Sequence, residues 1–212
     1  MVATMQNEHQ ALIRGAGALG VPLTDSTCDR LLGFLDLLEK WNRAYNLTSV
    51  RNRGEMLHRH LLDSISLAPF IRADEVLDVG SGGGLPGVVM ALLYPHRHFT
   101  LLDANQKKSR FLTQCRIELT LENMAIVADR AENYRPPAPL AQITSRAFTA
   151  LPTMIGWCGH LLAEDGEFLA MKGQFPHDEV AGLPEGWQLV DTHPVQVPGV
   201  EGQRHILSIR RA

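Results

Sequence analysis

Cysteine is scarce. The 212 residues hold three, Cys28, Cys115 and Cys158, and they stand far apart. No CxxC and no Cys/His cluster appears, which excludes a zinc site and a disulfide framework. Three reduced, mostly buried thiols are expected, and no metal ligands. Long apolar runs are missing too. No segment approaches the roughly 18 apolar residues a membrane span needs. The opening MVATMQNEHQALIRGAG has no basic flank followed by an apolar stretch, so it does not read as a signal peptide. A soluble, cytoplasmic protein with no membrane partner is expected. Repeats and low-complexity tracts are absent. So is an excess of positive charge. The formal net charge is −3, which taken alone argues weakly against a nucleic-acid partner.

The charge is unevenly distributed, however. Residues 40–59 carry Lys40, Arg43, Arg51, Arg53 and Arg59 against the single acid Glu55. Residues 104–116 carry Lys107, Lys108, Arg110 and Arg116 and no acid, while residues 164–191 are acidic. A basic face on an acidic protein is therefore permitted.

The composition is that of a globular protein, 45% hydrophobic and 20% charged. The length suits one α/β domain with an extension, and a core of that size needs no covalent staples. Residues 1–72 read as a helical extension. Thr24 or Asp25 starts a helix in which Leu31, Leu32, Leu35, Leu38 and Trp41 recur at helical spacing. Met56, Leu57, Leu61, Ile65 and Leu67 form a second apolar stripe that stops near Pro69. Residues 73–212 read as one compact α/β unit. Short apolar strands at EVLDVG, HFTLLDA, MAIVADR, AQITSRA and GEFLAMK alternate with helices, which implies right-handed crossovers and a parallel sheet. GWQLVDTHPVQV and RHILSIRR come last with only a turn between them, so these two are antiparallel. The sum is a mostly parallel, Rossmann-like sheet of seven strands.

The stretch VLDVGSGGGLPG, residues 76–87, fits two ligand loops. Gly82, Gly84 and Gly87 match G-x-G-x-x-G, the dinucleotide fingerprint. Asp78, Gly80, Gly82 and Gly84 match D-x-G-x-G-x-G, the first motif of S-adenosylmethionine-dependent methyltransferases. Charge separates the two. A pyrophosphate suits helix N–H groups and is repelled by a carboxylate. A sulfonium and an ammonium welcome one, so Asp78 favours the methyl donor. Asp103 ends the second strand, where an acid holds ribose hydroxyls for either cofactor. Ala131 and Glu132 come after the third strand, placed for an adenine edge.

The residues after strand four narrow the acceptor. No Pro-Cys nucleophile is present for attack on a pyrimidine ring, and TSRAF stands where amine methylases carry Asn-Pro-Pro-Tyr. An acceptor with its own lone pair, such as guanine N7, needs neither. A methyltransferase for a small molecule or a protein, and a non-catalytic binding module, remain the alternatives.

WNRAYNLTSVR (41–51), HLLDS (60–64), LDVGSGGGLPG (77–87), TLLDANQKKSRFL (100–112), SRAF (145–148) and MKGQ (171–174) together resemble the RsmG family, also called GidB. These are bacterial methyltransferases of small-subunit ribosomal RNA. The resemblance spans nearly the whole chain. It implies a class I S-adenosylmethionine-dependent methyltransferase fold with helices on both sheet faces. It also implies methylation of N7 of a guanine in the decoding region of 16S rRNA, with 16S rRNA or the 30S subunit as partner; a monomer is the default expectation. The family's cofactor residues map onto Gly80, Leu85, Ala131, Glu132 and Arg146, alongside Asp78, Gly82, Gly84 and Asp103 from the motif. Ser81 and Gly83 stand where the family often has threonine and proline.

Guanine N7 carries no proton, so catalysis by positioning and oriented charge is expected, without a general base. Arg146, Phe148 and Lys172 are the catalytic candidates, at the carboxyl ends of strands four and five. Phe148 is placed to stack on a flipped guanine. Arg43, Arg51, Arg53, Arg59, Lys107, Lys108 and Arg110 are the expected phosphate contacts. Asn42, Asn46, His60 and Asp63 read as polar links between extension and catalytic unit.

Overall fold

The structure is a computed structural model that describes the backbone of residues 2–212 and the side chains of residues 6–212. Met1, the first residue of the expected extension, lies outside the described residues. The chain opens with α1 (Val2–Ala18) and α2 (Asp25–Tyr45). Thr24 caps α2, its hydroxyl accepting the Thr27 amide at 3.1 Å. Asn46 ends that helix in a left-handed conformation, φ 51°.

The second apolar stripe is not one straight helix. It runs through α3 (Arg53–Met56), a π-helical segment (Leu57–Leu62), α4 (Asp63–Ile65) and a short turn at Ala68–Phe70. The alternating unit comes next: β1 (Glu75–Val79), α5 (Gly87–Leu93), β2 (His98–Leu102), α6 (Gln106–Glu118), β3 (Met124–Val127) and β4 (Leu140–Arg146). It closes with α7 (Leu151–Cys158), β5 (Leu162–Lys172), α8 (His177–Ala181), β6 (Trp187–Val195) and β7 (Arg204–Arg211). The short α8 has no counterpart in the sequence pattern, and β5 begins four residues before the expected GEFLAMK.

The sheet has seven strands in the order β3-β2-β1-β4-β5-β7-β6. The first five pair in parallel. β7 is antiparallel to both β5 and β6. The order reverses beside β1, between the β2 and β4 neighbours, so ligands belong at the carboxyl ends of those strands.

Alternating side chains feed two cores. Val76, Phe99, Leu169 and Ile206 face one side, with α5 and α6. Leu77, Leu102, Phe168 and Leu207 face the other, with α7. The first core also holds Leu12, Leu35, Leu38, Leu61 and Ile65, so the N-terminal helices form part of the helical layer on that face. The junction at residues 72 and 73 is pinned: Gln142 Oε1 accepts the Arg72 and Ala73 amides at 2.7 and 2.8 Å, and its Nε2 donates to Phe70 O at 3.0 Å. All three cysteines are buried and unpaired, and burial pushes Cys28 up to about 11 and Cys158 to about 12.

Candidate active site

β1 delivers the chain to a glycine turn. The Gly80 and Ser81 amides donate to Leu102 O at 2.8 and 3.2 Å, which ties the turn to the end of β2. Gly80 has φ 66°, and a Cβ there would lie 2.3 Å from the Phe148 ring. Only glycine admits both the left-handed turn and that close approach.

Asp78 does not face the pocket. It is fully buried beneath the loop, and its Oδ2 accepts the Gly87 amide at 2.9 Å. A Cβ on Gly87 would sit 2.6 Å from that oxygen. Desolvation raises the Asp78 pKa to about 7, against the lowering effect of the Gly87 and Ser81 hydrogen bonds. Oδ1 has no partner among the described residues. The carboxylate therefore discriminates against phosphate differently from the sequence argument. It occupies the helix N–H that a pyrophosphate would use, and the next amide, Val88, donates to Gly84 O at 2.8 Å.

Beyond the loop, a cavity of about 330 Å³ opens at the carboxyl ends of β1, β2 and β4. Gly80, Asp103, Ala131 and Glu132 line it, as the motif mapping places them. Gly82, Gly84 and Leu85 form the turn behind it and are not on its wall. Asp103 Oδ2 accepts the Gly82 amide at 2.9 Å and Oδ1 the Asn105 amide at 2.8 Å, so this acid holds the loop as well as facing the cavity.

The wall also includes Asp129, Arg130 and Trp157, which the sequence reading missed. Asp129 and Arg130 directly precede Ala131, in the same loop. Trp157 lies off the buried α7 stripe of Leu151, Met154, Ile155 and Cys158 and stays 37% exposed, a signal legible from helical spacing. Its ring meets Phe148 edge-on at 5.8 Å. Three carboxylates face two cations here, Lys108 and Arg130. With the helix amide already bonded, this donor set fits a cationic, phosphate-free cofactor such as S-adenosylmethionine.

A second cavity of about 530 Å³ adjoins the first, and Ala147 lines both. Ala147 has φ 50°, a strained conformation for a residue with a Cβ. It separates Phe148, on the cofactor side, from Arg146, which lines only the second cavity. Arg146 is not on the wall of the first cavity. Its Nη1 donates to Asp63 Oδ2 at 2.8 Å and Arg59 O at 2.9 Å. Arg204, from β7, donates through Nε to Asp63 Oδ1 at 3.0 Å.

Asp63 is thus the link between extension and sheet, while Asn42 and His60 act within the extension. Asn42 donates to Val50 O and accepts the Thr48 amide. The Arg59 carbonyl can only accept, so His60 Nδ1 carries the proton and donates to it at 3.0 Å. Nε2 of the neutral ring then accepts from Thr48 Oγ1 at 2.8 Å, and Thr48 Oγ1 in turn accepts the Val50 amide. Burial, reinforced by Arg146, lowers the His60 pKa to about 4 and keeps the ring neutral. Arg59 and His60 lie on the π-helical turn just ahead of Asp63; such turns recur at functional sites.

Lys172 lines the second cavity but is engaged. Its Nζ donates to Glu179 Oε2 at 2.7 Å and Thr149 O at 3.1 Å. Glu179 also accepts the Leu151 amide at 2.7 Å, so α8 braces the turn after β4.

The expected phosphate contacts do not form one group. Arg53 is an ion-pair hub, with Glu8 at 2.8 Å, Asp36 at 2.7 Å and Glu39 at 3.1 Å. Three carboxylates take up the charge that was assigned to RNA. Arg43 pairs with Glu39 at 3.0 Å. Arg51 braces the loop after α2 through Asn42 O at 3.0 Å. Lys108 faces the cofactor cavity, 3.7 Å from Asp103. Arg59 lines the second cavity with a 3.5 Å contact to Glu55. Lys107 and Arg110 are exposed on α6, without an ion pair among the described residues. No group of three potential metal ligands occurs among the described residues.

A family model described as rRNA small subunit methyltransferase G matches residues 27–207. The chain is 55% identical over 198 residues to the Ribosomal RNA small subunit methyltransferase G of Marinobacter nauticus, covering 93% of this chain and 92% of that one. Its identity to the protein of the same name from Ectopseudomonas mendocina is 49% over 213 residues, covering 100% of each. Among solved structures, the glycopeptide N-methyltransferase MtfA complexed with S-adenosyl-L-homocysteine matches with a TM-score of 0.58 at 11% identity, over 72% of this chain and 87% of that one. The O-methyltransferase TomG from Streptomyces achromogenes, in complex with SAM, matches with a TM-score of 0.54 at 15% identity, over 84% and 89%. At these identities the two structures show a shared fold.

Proposed function

The chain belongs to the rRNA small subunit methyltransferase G family, and from that premise we propose that it moves a methyl group from S-adenosylmethionine to N7 of a guanine in 16S rRNA. The observation that carries the reading is the pair of adjoining cavities. One is lined by three carboxylates against two cations, and the other by Arg59, Arg146, Lys172 and Arg204, where Glu55 pairs with Arg59, Glu179 with Lys172, and Arg146 and Arg204 share the one carboxylate of Asp63, which leaves the second wall with positive charge in excess. The first suits a sulfonium compound, the second a polyanion. Ala147 marks where the two ligands meet.

The cofactor, when bound, supplies an electrophilic methyl group on a positive sulfur. In this reading Asp103 takes the ribose hydroxyls, Ala131 and Glu132 the adenine edge, and Gly80 the amino-acid end, with Gly82, Gly84 and Leu85 shaping the turn behind it. The acceptor guanine enters the second cavity with N7 toward Ala147. Its lone pair lies in the ring plane, so no proton moves before transfer. His60 fits that simplicity, since it stays neutral and its Nε2 is already hydrogen-bonded to Thr48. Catalysis then rests on placement. The N-terminal extension contributes Thr48, Arg59, His60 and Asp63 to one wall of the acceptor cavity, and the α/β unit of residues 73–212 carries the cofactor.

Arg59, Lys107 and Arg110 remain available for RNA phosphates. The enzyme is proposed to work as a cytoplasmic monomer on 16S rRNA or the 30S subunit. No described helix is long and apolar enough to cross a membrane. Incubation with tritiated methyl donor and 30S subunits tests the assignment: label is expected in 16S rRNA, and label confined to ribosomal protein would overturn it.

A further inference from the structure

We propose that Asp63 is a positioning residue for the acceptor: it holds Arg146 and Arg204 as a converging pair that grips the phosphate of the target nucleotide. This deepens the rRNA methyltransferase reading and rests on it. The two arginines come from different strands, Arg146 from the end of β4 and Arg204 from the start of β7. Both line the second cavity. Left alone, two guanidiniums there repel each other. The Asp63 carboxylate lies between them, one oxygen on Arg204 Nε at 3.0 Å and the other on Arg146 Nη1 at 2.8 Å.

Asp63 is buried, and it is the single carboxylate on a wall that also holds Arg59 and Lys172. Arg146 engages Asp63 and Arg59 O through Nη1. Arg204 engages Asp63 through Nε and Gln203 O through Nη1. Nη2 of each has no hydrogen-bond partner among the described residues. Two planar forks held by one anion, each with an Nη2 donor left over, offer the charge-assisted hydrogen bonds that phosphate oxygens accept. Asp63 itself touches neither ligand. It sits just after the π-helical turn, so the extension sets the grip that the sheet supplies.

This role has a sign that separates it from simple electrostatics. Removing an anion beside a bound phosphate would, by charge alone, tighten RNA binding. Removing a positioning residue weakens it. The experiment measures methyl transfer to 30S subunits by full-length wild type, Asp63→Asn, Arg204→Lys, Arg204→Gln and the D63N/R204Q double variant. S-adenosylhomocysteine affinity by calorimetry and Tm are recorded for each.

The expected result for Asp63→Asn is a KM for 30S subunits raised at least about tenfold, with S-adenosylhomocysteine affinity unchanged. Arg204→Lys keeps the charge but loses the fork, and is expected to raise KM similarly. D63N/R204Q should be worse than R204Q alone by less than the effect of D63N in the wild type, because Asp63 acts partly through Arg204 and partly through Arg146. An unchanged or lowered KM in folded Asp63→Asn overturns the proposal, as does full additivity. Should Asp63→Asn fail to fold, Arg204→Lys decides: wild-type KM overturns the proposal. Absence of transfer by wild type itself strikes the methyltransferase reading instead.

Discussion

Asp78 and Gly87 close the glycine turn from beneath, the carboxylate accepting the amide at 2.9 Å inside the first core. This contact occupies the donor that a phosphate-bearing cofactor requires. Asp78→Ala leaves a buried amide without an acceptor and is expected to cost about 1–3 kcal/mol of stability. Gly87→Ala forces a Cβ to 2.7 Å from Leu101 Cγ as well as against Asp78, and should be at least as damaging. Urea unfolding reads both. Midpoints equal to wild type would remove Asp78 from its structural role.

His60 and Asp78 make opposite contributions to acid stability. His60 titrates at about 4 in the fold against 6.5 as a free side chain, because burial and Arg146 disfavour the cation. Between those values the unfolded chain holds a proton that the fold lacks, so stability falls as pH falls. Asp78 is raised from 3.8 to about 7 by desolvation. Between those values the fold holds the extra proton, so stability rises as pH falls. Each slope is about 1.4 kcal/mol per pH unit, and the two offset in the window they share. Relative to wild type, His60→Gln should gain stability on acidification from neutral pH to about 5, and Asp78→Asn should lose it. Parallel curves for all three proteins would contradict both assignments.

Trp157 reports on the cofactor cavity. It lines the wall and contacts Phe148, whereas Trp41 and Trp187 pack in the two cores. Titration with S-adenosylhomocysteine is expected to change tryptophan emission, and Trp157→Phe to abolish the change while binding persists by calorimetry. A full signal from the variant would place the ligand elsewhere.

Neighbouring lysines on α6 should separate the two ligands. Lys107 is exposed, while Lys108 lies 3.7 Å from Asp103 on the cofactor wall. Lys107→Glu is expected to weaken 30S binding and leave S-adenosylhomocysteine affinity alone. Lys108→Glu, which sets a fourth carboxylate on that wall, should alter cofactor affinity. Filter binding and calorimetry on both variants decide, and identical behaviour would contradict the placement.

The sheet was legible because each strand announces itself locally. Leu77 and Val79, or Phe168 and Ala170, alternate faces within a few residues, and β6 and β7 have too short a connection for a crossover. That Asp103, Ala131 and Glu132 share one wall was legible from their places just after strands two and three. The hidden parts depend on distant partners. Arg53 reads as a free cation until Glu8, Asp36 and Glu39 are brought to it from two other helices. Asp78 reads as a pocket carboxylate until the Gly87 amide at the start of α5 is brought to it beneath the loop. The second cavity draws Thr48, Asp63, Arg146 and Arg204 from four separate segments, so no single motif could display it.

The most direct test locates the methyl group. After reaction of 30S subunits lacking the modification, the RNA is reduced with borohydride and cleaved with aniline, which breaks the chain at 7-methylguanosine. One new scission, at a guanine of the 16S decoding region, is the outcome these cavities and this family imply. Label in the RNA with no such scission would place the methyl on another atom and contradict the lone-pair mechanism.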